Sequence, residues 1–292
     1  MSYKVIIGKN LDNQKRSEVN RIIDMTFEEV DKVYNNWNPE SELSHLNNAK
    51  ANVWIKLSPK LESLLLFTEK LVKATKGLYD PTVSPAHQLW KSSLCKGIVP
   101  SPEKIQSVAE TVGWNNLIFK EGSVQKKHSL MSIDLGGIAK GYCVDLLVER
   151  LNLAGFNDVF VEWGGEIRAS GRHPENRSWQ IYISNLEDTD PLHAIDTVSL
   201  DNQSIATSGD YLQQWNIDGT IYTHVMNPIT LKPIIVCDNN ICSATVKAPS
   251  CAFADALATA CMLFDSPEEA SSWAKELQKD DPSIQFWFVQ RK

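Results

Sequence analysis

The stretch Ser132-Ile133-Asp134-Leu135-Gly136-Gly137-Ile138-Ala139-Lys140-Gly141 holds the parts of an anion site. An apolar run of β type ends in an acid, the backbone turns through glycines, a lysine follows, and a helix-forming segment runs from Tyr142 through Arg150 to Asn152. Glycines let a backbone come close to a ligand. The first turn of a helix offers unpaired N–H groups and the positive end of its dipole. Lys140 adds a mobile positive charge, and the guest this order suits is a phosphate or pyrophosphate. The glycine spacing is neither that of a Walker A loop nor that of the dinucleotide fingerprint. A plain strand–turn–helix junction with an exposed lysine accounts for the same residues.

A second group of residues lies at Ala254-Asp255-Ala256-Leu257-Ala258-Thr259-Ala260, which is rich in strong helix formers. Asp255 and Thr259 are four apart and project from one helix face. One carboxylate and one hydroxyl on a shared face suit a hard cation such as magnesium, which takes few protein ligands, all oxygens. The competing reading makes Asp255 an N-terminal cap, with Thr259 packing beside it. A magnesium site beside a phosphate cradle is a coherent pair.

The elements that must position these groups read as α+β. Val19, Ile22, Ile23, Phe27, Val30 and Val33 give Ser17 to Asn35 the apolar stripe of a helix. Pro59 opens a second helix through Ala74, capped by Ser58 and closed near Gly77. Pro102 opens a third toward Val112. Asn157 to Val161 and Trp179 to Ser184 read as strands around the Gly164-Gly165 turn. Ser204 to Ala206, Ile221 to Val225 and Asn240 to Val246 follow as short strands. The Asp255 helix and one from Pro267 to Leu277 precede a closing strand, Ile284 to Gln290. Lys126-Lys127-His128 reads as a solvated hairpin turn, and there is no repeat or low-complexity tract.

The 292 residues can bury a substantial core as one domain or two fused halves. Hydrophobic residues make up 42% and charged residues 22%, ordinary values for a folded protein. No apolar run reaches the roughly 18–20 residues of a membrane span. A formal charge of −7 argues against non-specific nucleic-acid binding, which needs a basic face. The six cysteines lack CxxC spacing, which argues against a zinc or thioredoxin-type site. Cys143 and Cys261 read as buried small residues in helices, and Cys237 and Cys242 could meet across a turn in an oxidising compartment.

The chain resembles the ApbE family, the FAD:protein FMN transferases. The resemblance rests on blocks in the family's order: Pro39 to Asn47, Gly77 to Pro85, Asp134 to Gly141, Gly164 to Gly171, Ser208-Gly209-Asp210-Tyr211, His224-Val225-Met226-Asn227-Pro228, and Ala254 to Ala260. It implies an α+β fold of ApbE or T-fold type, with mixed sheets and packed helices, in a single domain over residues 1–292 with two intertwined subdomains as an option. It implies that the protein binds FAD and Mg2+. The hydroxyl of an acceptor threonine or serine then attacks the phosphorus on the FMN side, and AMP leaves.

Under the resemblance, Asp255 and Thr259 look like the side-chain magnesium ligands. The carbonyl of Gly137 is the third protein ligand, and Ala258 borders the site. Lys140, Asp134 and the Leu78-Tyr79-Asp80 turn contact FAD. Trp37 stacks on a ring of FAD, Ile229 approaches it through its backbone, and Met1 falls at a flavin-contacting methionine. Lys140 and His224 are the catalytic candidates, His224 as the general base because its intrinsic pKa lies near neutrality. The other histidines read as surface or structural.

Three positions depart from the family pattern. Asn227 replaces an acid and cannot serve as a base. Leu231 replaces a glycine, so the turn must avoid a strained positive φ. Glu166 stands where Asp is common. The alternatives these departures keep open are magnesium-dependent FAD hydrolysis to FMN and AMP, and a non-catalytic FAD-binding or delivery protein. The acceptor the resemblance points to is a flavin-bearing subunit, such as that of sodium-translocating NADH:quinone reductase. The chain enters a strand at Tyr3-Lys4-Val5, which is compatible with a periplasmic or membrane-anchored form after removal of a leader and with a cytoplasmic one.

Overall fold

The computed structural model describes residues 2–185 and 190–291. The chain forms two compact units that interleave in sequence: residues 1–28, 138–209 and 239–292 make the first, and residues 29–137 and 210–238 the second.

The first unit is built on a six-stranded sheet. Its strands run in the order Tyr3–Ile7, Val159–Trp163, Glu166–Ser170, Ser204–Gly209, Ile241–Ala248 and Gln285–Gln290, and every neighbouring pair is antiparallel. Trp163 pairs with Glu166 across a two-residue turn. That turn is made by Gly164 and Gly165, both at positive φ, the geometry a tight hairpin requires. Val159, Phe160 and Val161 are all buried, an unbroken apolar run that marks a strand covered on both faces. Phe160, Ala169 and Ile205 pack with Trp179, Ile183, Val198 and Leu200 of a separate two-stranded ribbon, Trp179–Ile183 with Asp196–Leu200. Helices Ala139–Leu153 and Cys251–Cys261 also pack on the sheet.

The second unit holds helices Glu42–Asn48, Pro59–Ala74, Ser84–Leu94 and Pro102–Ala109. It also holds two three-stranded antiparallel sheets. One orders Ile55–Lys56, Ser123–Lys126 and Leu117–Lys120, and the other Gln214–Ile217, Thr220–Asn227 and Lys232–Ile235. Ala86, Trp90 and Leu94 of one helix share a core with Met226 and Leu231.

Several elements differ from the sequence expectation. The first helix runs Asn13–Val33, because the Asp12 carboxylate accepts from the Lys15 N–H at 2.8 Å and caps it before Ser17. The hairpin partner across Gly164-Gly165 is Glu166–Ser170, and Trp179–Ile183 belongs to the other ribbon. The run into Asp134 is not a strand. The Asn47 side chain substitutes for a strand partner there, accepting from the Ile133 N–H at 2.8 Å and donating to its carbonyl at 2.9 Å. Among the described residues Cys237 and Cys242 form no disulfide, and the Cys242 thiol donates to the Val289 carbonyl. Among the described residues no helix is long and apolar enough to cross a membrane.

Lys126 is the largest correction. It ends strand Ser123–Lys126 and is 1% exposed, not solvated in a turn. Its ammonium donates to the carbonyls of Asn47 at 2.6 Å, Met131 at 2.8 Å and Ser129 at 3.3 Å. Burial pushes its pKa down to about 8. Those carbonyls lie on the helix Glu42–Asn48 and on the segment that leads into Asp134, so the buried ammonium ties that segment down. Lys126→Met keeps the apolar stem and removes the donors, leaving buried carbonyls unpaired. We expect a loss of roughly 1–3 kcal/mol in urea unfolding, and a change within about 0.5 kcal/mol would show that the clamp carries no load.

Candidate functional site

In the first unit the site begins where helix Ala139–Leu153 leaves the glycine turn. Lys140 lies in its first turn, and its ammonium forms an ion pair with the Glu166 carboxylate. The next N–H, that of Gly141, donates to Asp255 Oδ2 at 3.2 Å. One of the helix N–H groups that the sequence leaves open for an anion is therefore taken by an acid of the protein itself. Gly141 also permits the close approach of the two helices, since a Cβ there would lie 2.5 Å from the Cys251 carbonyl oxygen.

Asp255 does not cap its helix. Ser250 does, accepting from the Phe253 N–H at 3.3 Å, which leaves Asp255 in the helix body and 3% exposed. Thr259 is on the same face, with its hydroxyl 3.3 Å from that of Ser208 on the central sheet. Ala258 between them is fully buried.

The charges in this site do not balance. Burial and then the negative charge of Asp255 raise the pKa of Glu166, against the opposing pull of Lys140. Burial also raises Asp255, with Lys140 and the Gly141 N–H acting against it and Asp145 adding to it. Burial works against the charge of Lys140, but Asp255 and Glu166 more than offset it and its pKa rises. Two buried carboxylates thus face one ammonium, and among the described residues Glu166 Oε2 has no hydrogen-bond partner. A hard divalent cation, which takes oxygen ligands, fits that surplus of negative charge. No cluster of three His, Cys, Asp or Glu side chains suited to a metal occurs among the described residues. An ion at Asp255 and Thr259 would complete its shell from backbone, water or phosphate oxygens.

Asp145 is a residue that the sequence reading missed. Its carboxylate accepts from the Cys251 N–H at 2.9 Å, the Ala252 N–H at 3.0 Å and the Ser250 hydroxyl at 2.8 Å. Arg168 donates to it at 2.8 Å. It thereby fixes the start of the Asp255 helix against helix Ala139–Leu153. The only sequence signal is its place on the buried face of the helix that carries Lys140.

In the second unit, Asp134 Oδ1 accepts from the Gly136 N–H at 2.9 Å, and the Asp134 N–H donates to the Pro81 carbonyl at 2.9 Å. Gly137 is the last residue of this unit's first segment. Asp80 accepts from the Thr82 N–H and hydroxyl at 2.9 and 2.6 Å and from the Trp114 N–H at 3.0 Å. Burial raises its pKa although those bonds lower it. Tyr79 is 4% exposed in the core, while Leu78 is half-buried. Trp37 is 74% exposed, and the Lys91 ammonium lies 5.3 Å from its ring centroid. Met1 lies outside the described residues.

His224 is on strand Thr220–Asn227. Its N–H donates to the Gln213 carbonyl at 3.1 Å, and its Nδ1 lies 3.3 Å from the same oxygen. Burial lowers its pKa, the Gln213 bond and Asp210 act to raise it, and Lys91 lowers it further. Beyond it, Asn227 Oδ1 accepts from the N–H groups of Ile229 at 2.8 Å and Thr230 at 3.0 Å. The amide shapes this turn without a negative charge, and it leaves the Ile229 side chain exposed. Leu231 does adopt positive φ, at 58°. That conformation costs a non-glycine residue about 1–2 kcal/mol. Burial of the side chain in the core and the bond from Trp90 Nε1 to the Leu231 carbonyl at 2.8 Å offset it.

Comparison with known proteins places these features in a family. Residues 1–283 match the model described as the ApbE family. A relative from Chlamydia pneumoniae named FAD:protein FMN transferase is 40% identical over 94% of this chain and 85% of its own length. One of that name from Vibrio cholerae is 31% identical over 82% of this chain and 72% of its own. The apo structure of the flavinyl transferase ApbE from Pseudomonas stutzeri aligns with TM-score 0.85 at 26% identity, covering 99% of this chain and 88% of that one. The ApbE flavin transferase from Vibrio cholerae aligns with TM-score 0.79 at 28% identity, covering 98% and 93%. The chain belongs to the ApbE family.

The contact at Gly141 gives a direct test of the helix pair. Gly141→Ala drives a methyl into the Cys251 carbonyl and pushes the Asp255 helix away. We expect about 1–3 kcal/mol of destabilisation in thermal unfolding, whereas an unshifted midpoint would mean that the helices do not meet as described.

Proposed function

We propose that this chain is a magnesium-dependent FAD:protein FMN transferase. It joins FMN through a phosphoester to a threonine or serine of an acceptor flavoprotein and releases AMP. The observation that carries the reading is the buried pair of carboxylates, Asp255 and Glu166, around Lys140, with Thr259 on the Asp255 face. Storage of a flavin needs no such surplus of buried negative charge. Catalysis at a pyrophosphate needs charge neutralisation and positioning more than covalent chemistry.

The roles follow the chemistry of each residue. Asp255 and Thr259 would hold the magnesium with the Gly137 carbonyl, and Ala258 would border it. The ion, when bound, supplies positive charge at the phosphoryl oxygens. Lys140 offsets charge on the pyrophosphate while Glu166 holds its ammonium in place. Asp134, Trp37, Met1, the Ile229 backbone and the Leu78-Tyr79-Asp80 turn would contact FAD, the turn through Leu78 and its backbone, since the Asp80 carboxylate is engaged internally. His224 takes the proton of the acceptor hydroxyl. The acceptor class this reading favours is a flavin-bearing redox subunit, such as that of sodium-translocating NADH:quinone reductase.

The test is incubation of the protein with FAD, Mg2+ and a threonine peptide of acceptor type, read by intact mass. A mass gain matching an FMN phosphoester, with AMP in equal amount, is the expected result. AMP and free FMN without modified peptide would replace transfer by hydrolysis, and bound FAD without AMP would sink both enzyme readings. Asp255→Ala is expected to abolish turnover and the heat of Mg2+ binding in calorimetry while flavin affinity stays within a few-fold. The lowered pKa of His224 gives the direction of the pH dependence. The neutral base persists to lower pH than in a free histidine, so the rate should rise through a midpoint below about 6.5 and then level off. A midpoint above that value would remove His224 as the base.

A further inference from the structure

Thr259 departs from the pattern set by other threonines within α-helices. Thr26 and Thr68 turn their hydroxyls back on their own helices and donate to carbonyls four residues earlier, that of Ile22 at 2.7 Å and that of Leu64 at 2.8 Å. A helical hydroxyl commonly places its proton in this way. The Thr259 hydroxyl reaches off its helix instead. Among the described residues its one hydrogen-bond partner is Ser208 Oγ, 3.3 Å away on strand Ser204–Gly209.

Ser208 is held firmly. Its strand lies inside the six-stranded sheet, between Glu166–Ser170 and Ile241–Ala248. It pairs with the latter without a break from Ser204 to Gly209, and Ser208 stands opposite Ala244. Side chains along a strand alternate between its two faces. Thr207 takes the other face, where its hydroxyl lies 2.9 Å from that of Thr245, so Ser208 stands on the face that meets helix Cys251–Cys261. Asp255, Ala256, Leu257, Ala258 and Ala260 are buried on that helix, while Thr259 and Ser208 are each half-buried. The two hydroxyls therefore meet where the helix comes out toward solvent, at a place an ion can reach.

We propose that Ser208 is a positioning residue for the magnesium ligand Thr259: its Oγ accepts the Thr259 hydroxyl proton and so leaves the Thr259 oxygen lone pairs facing the ion. This rests on the reading of Asp255 and Thr259 as ligands in the proposed transferase. A hydroxyl has one proton and two lone pairs. As a ligand it must present a lone pair, and its proton then needs an acceptor away from the cation. An ionised carboxylate such as that of Asp255 has no proton to place. Without the ion either hydroxyl can donate to the other. With a cation at the Thr259 oxygen one arrangement remains, in which Thr259 donates and Ser208 accepts. Partners that orient a ligand from outside the metal's own shell govern much of a site's affinity.

The experiment is calorimetric titration of the full chain with MgCl2, for the wild type, Ser208→Ala, Ser208→Thr, Thr259→Ala and the variant carrying both alanines, beside urea unfolding without the metal. Ser208→Ala should weaken Mg2+ binding about tenfold while the metal-free unfolding midpoint stays in place. Ser208→Thr keeps the hydroxyl on a residue that suits a strand, and it should bring most of the affinity back. Adding Ser208→Ala to Thr259→Ala should cost nothing further, because the ligand that Ser208 orients is already gone. Wild-type affinity in Ser208→Ala would overturn the proposal, as would equal losses from Ser208→Ala with and without Thr259. A lowered metal-free midpoint in Ser208→Ala, with no return of affinity in Ser208→Thr, would reduce the contact to packing of helix on sheet and overturn it as well. The Ser208→Ala and Ser208→Thr pair decides by itself if Thr259→Ala binds too weakly to measure. Failure of the magnesium reading has a different signature, no heat from the wild type or the same heat from Asp255→Ala.

Discussion

The first unit depends on one electrostatic constraint: Asp255 and Glu166 are buried together with a single ammonium to share. Burial alone would protonate such carboxylates, and Lys140 restrains both only in part. The Gly141 N–H adds a dipole at Asp255, yet among the described residues Glu166 still holds an oxygen without a hydrogen-bond partner. A buried polar group left unmatched costs free energy. The proposed magnesium ion would offset the charge of these two carboxylates.

Holding that site requires two helices to meet closely, and the sequence shows how. Gly141 removes the side chain that would collide with Cys251. Asp145, four residues on, receives the first N–H groups of the Asp255 helix. Arg168 from the adjacent strand pairs with Asp145, although burial still raises the pKa of that carboxylate. Asp145 has donors on both oxygens, while Glu166 Oε2 has no hydrogen-bond partner among the described residues.

Local signals carried much of this organisation. Ser58 with Pro59 marks a helix start, the spacing of Asp255 and Thr259 sets a shared face, and Gly136-Gly137 before Lys140 marks a turn into a helix. All of these lie within a few residues in the chain. What the sequence hid is long-range. Lys126 reads as solvated because its acceptors are carbonyls, which leave no trace in side-chain identity. The segment before Asp134 reads as a strand because Ile133 is apolar, but its pairing partner is an amide, that of Asn47. Leu231 breaks the expectation against positive φ because core packing and the Trp90 bond offset a modest backbone cost.

In the second unit a histidine's environment is set by its neighbours and not by its own motif. His224 stands in a recognisable block, and its ring meets the carbonyl of Gln213. His87 stands in no motif, but its helix is held at one side by Ser132 and Asp134 and at the other by Leu231. The same Lys91 that lowers His224 lies over the ring of Trp37, so one short helix links the electrostatics of the proposed base to the aromatic surface proposed for the flavin.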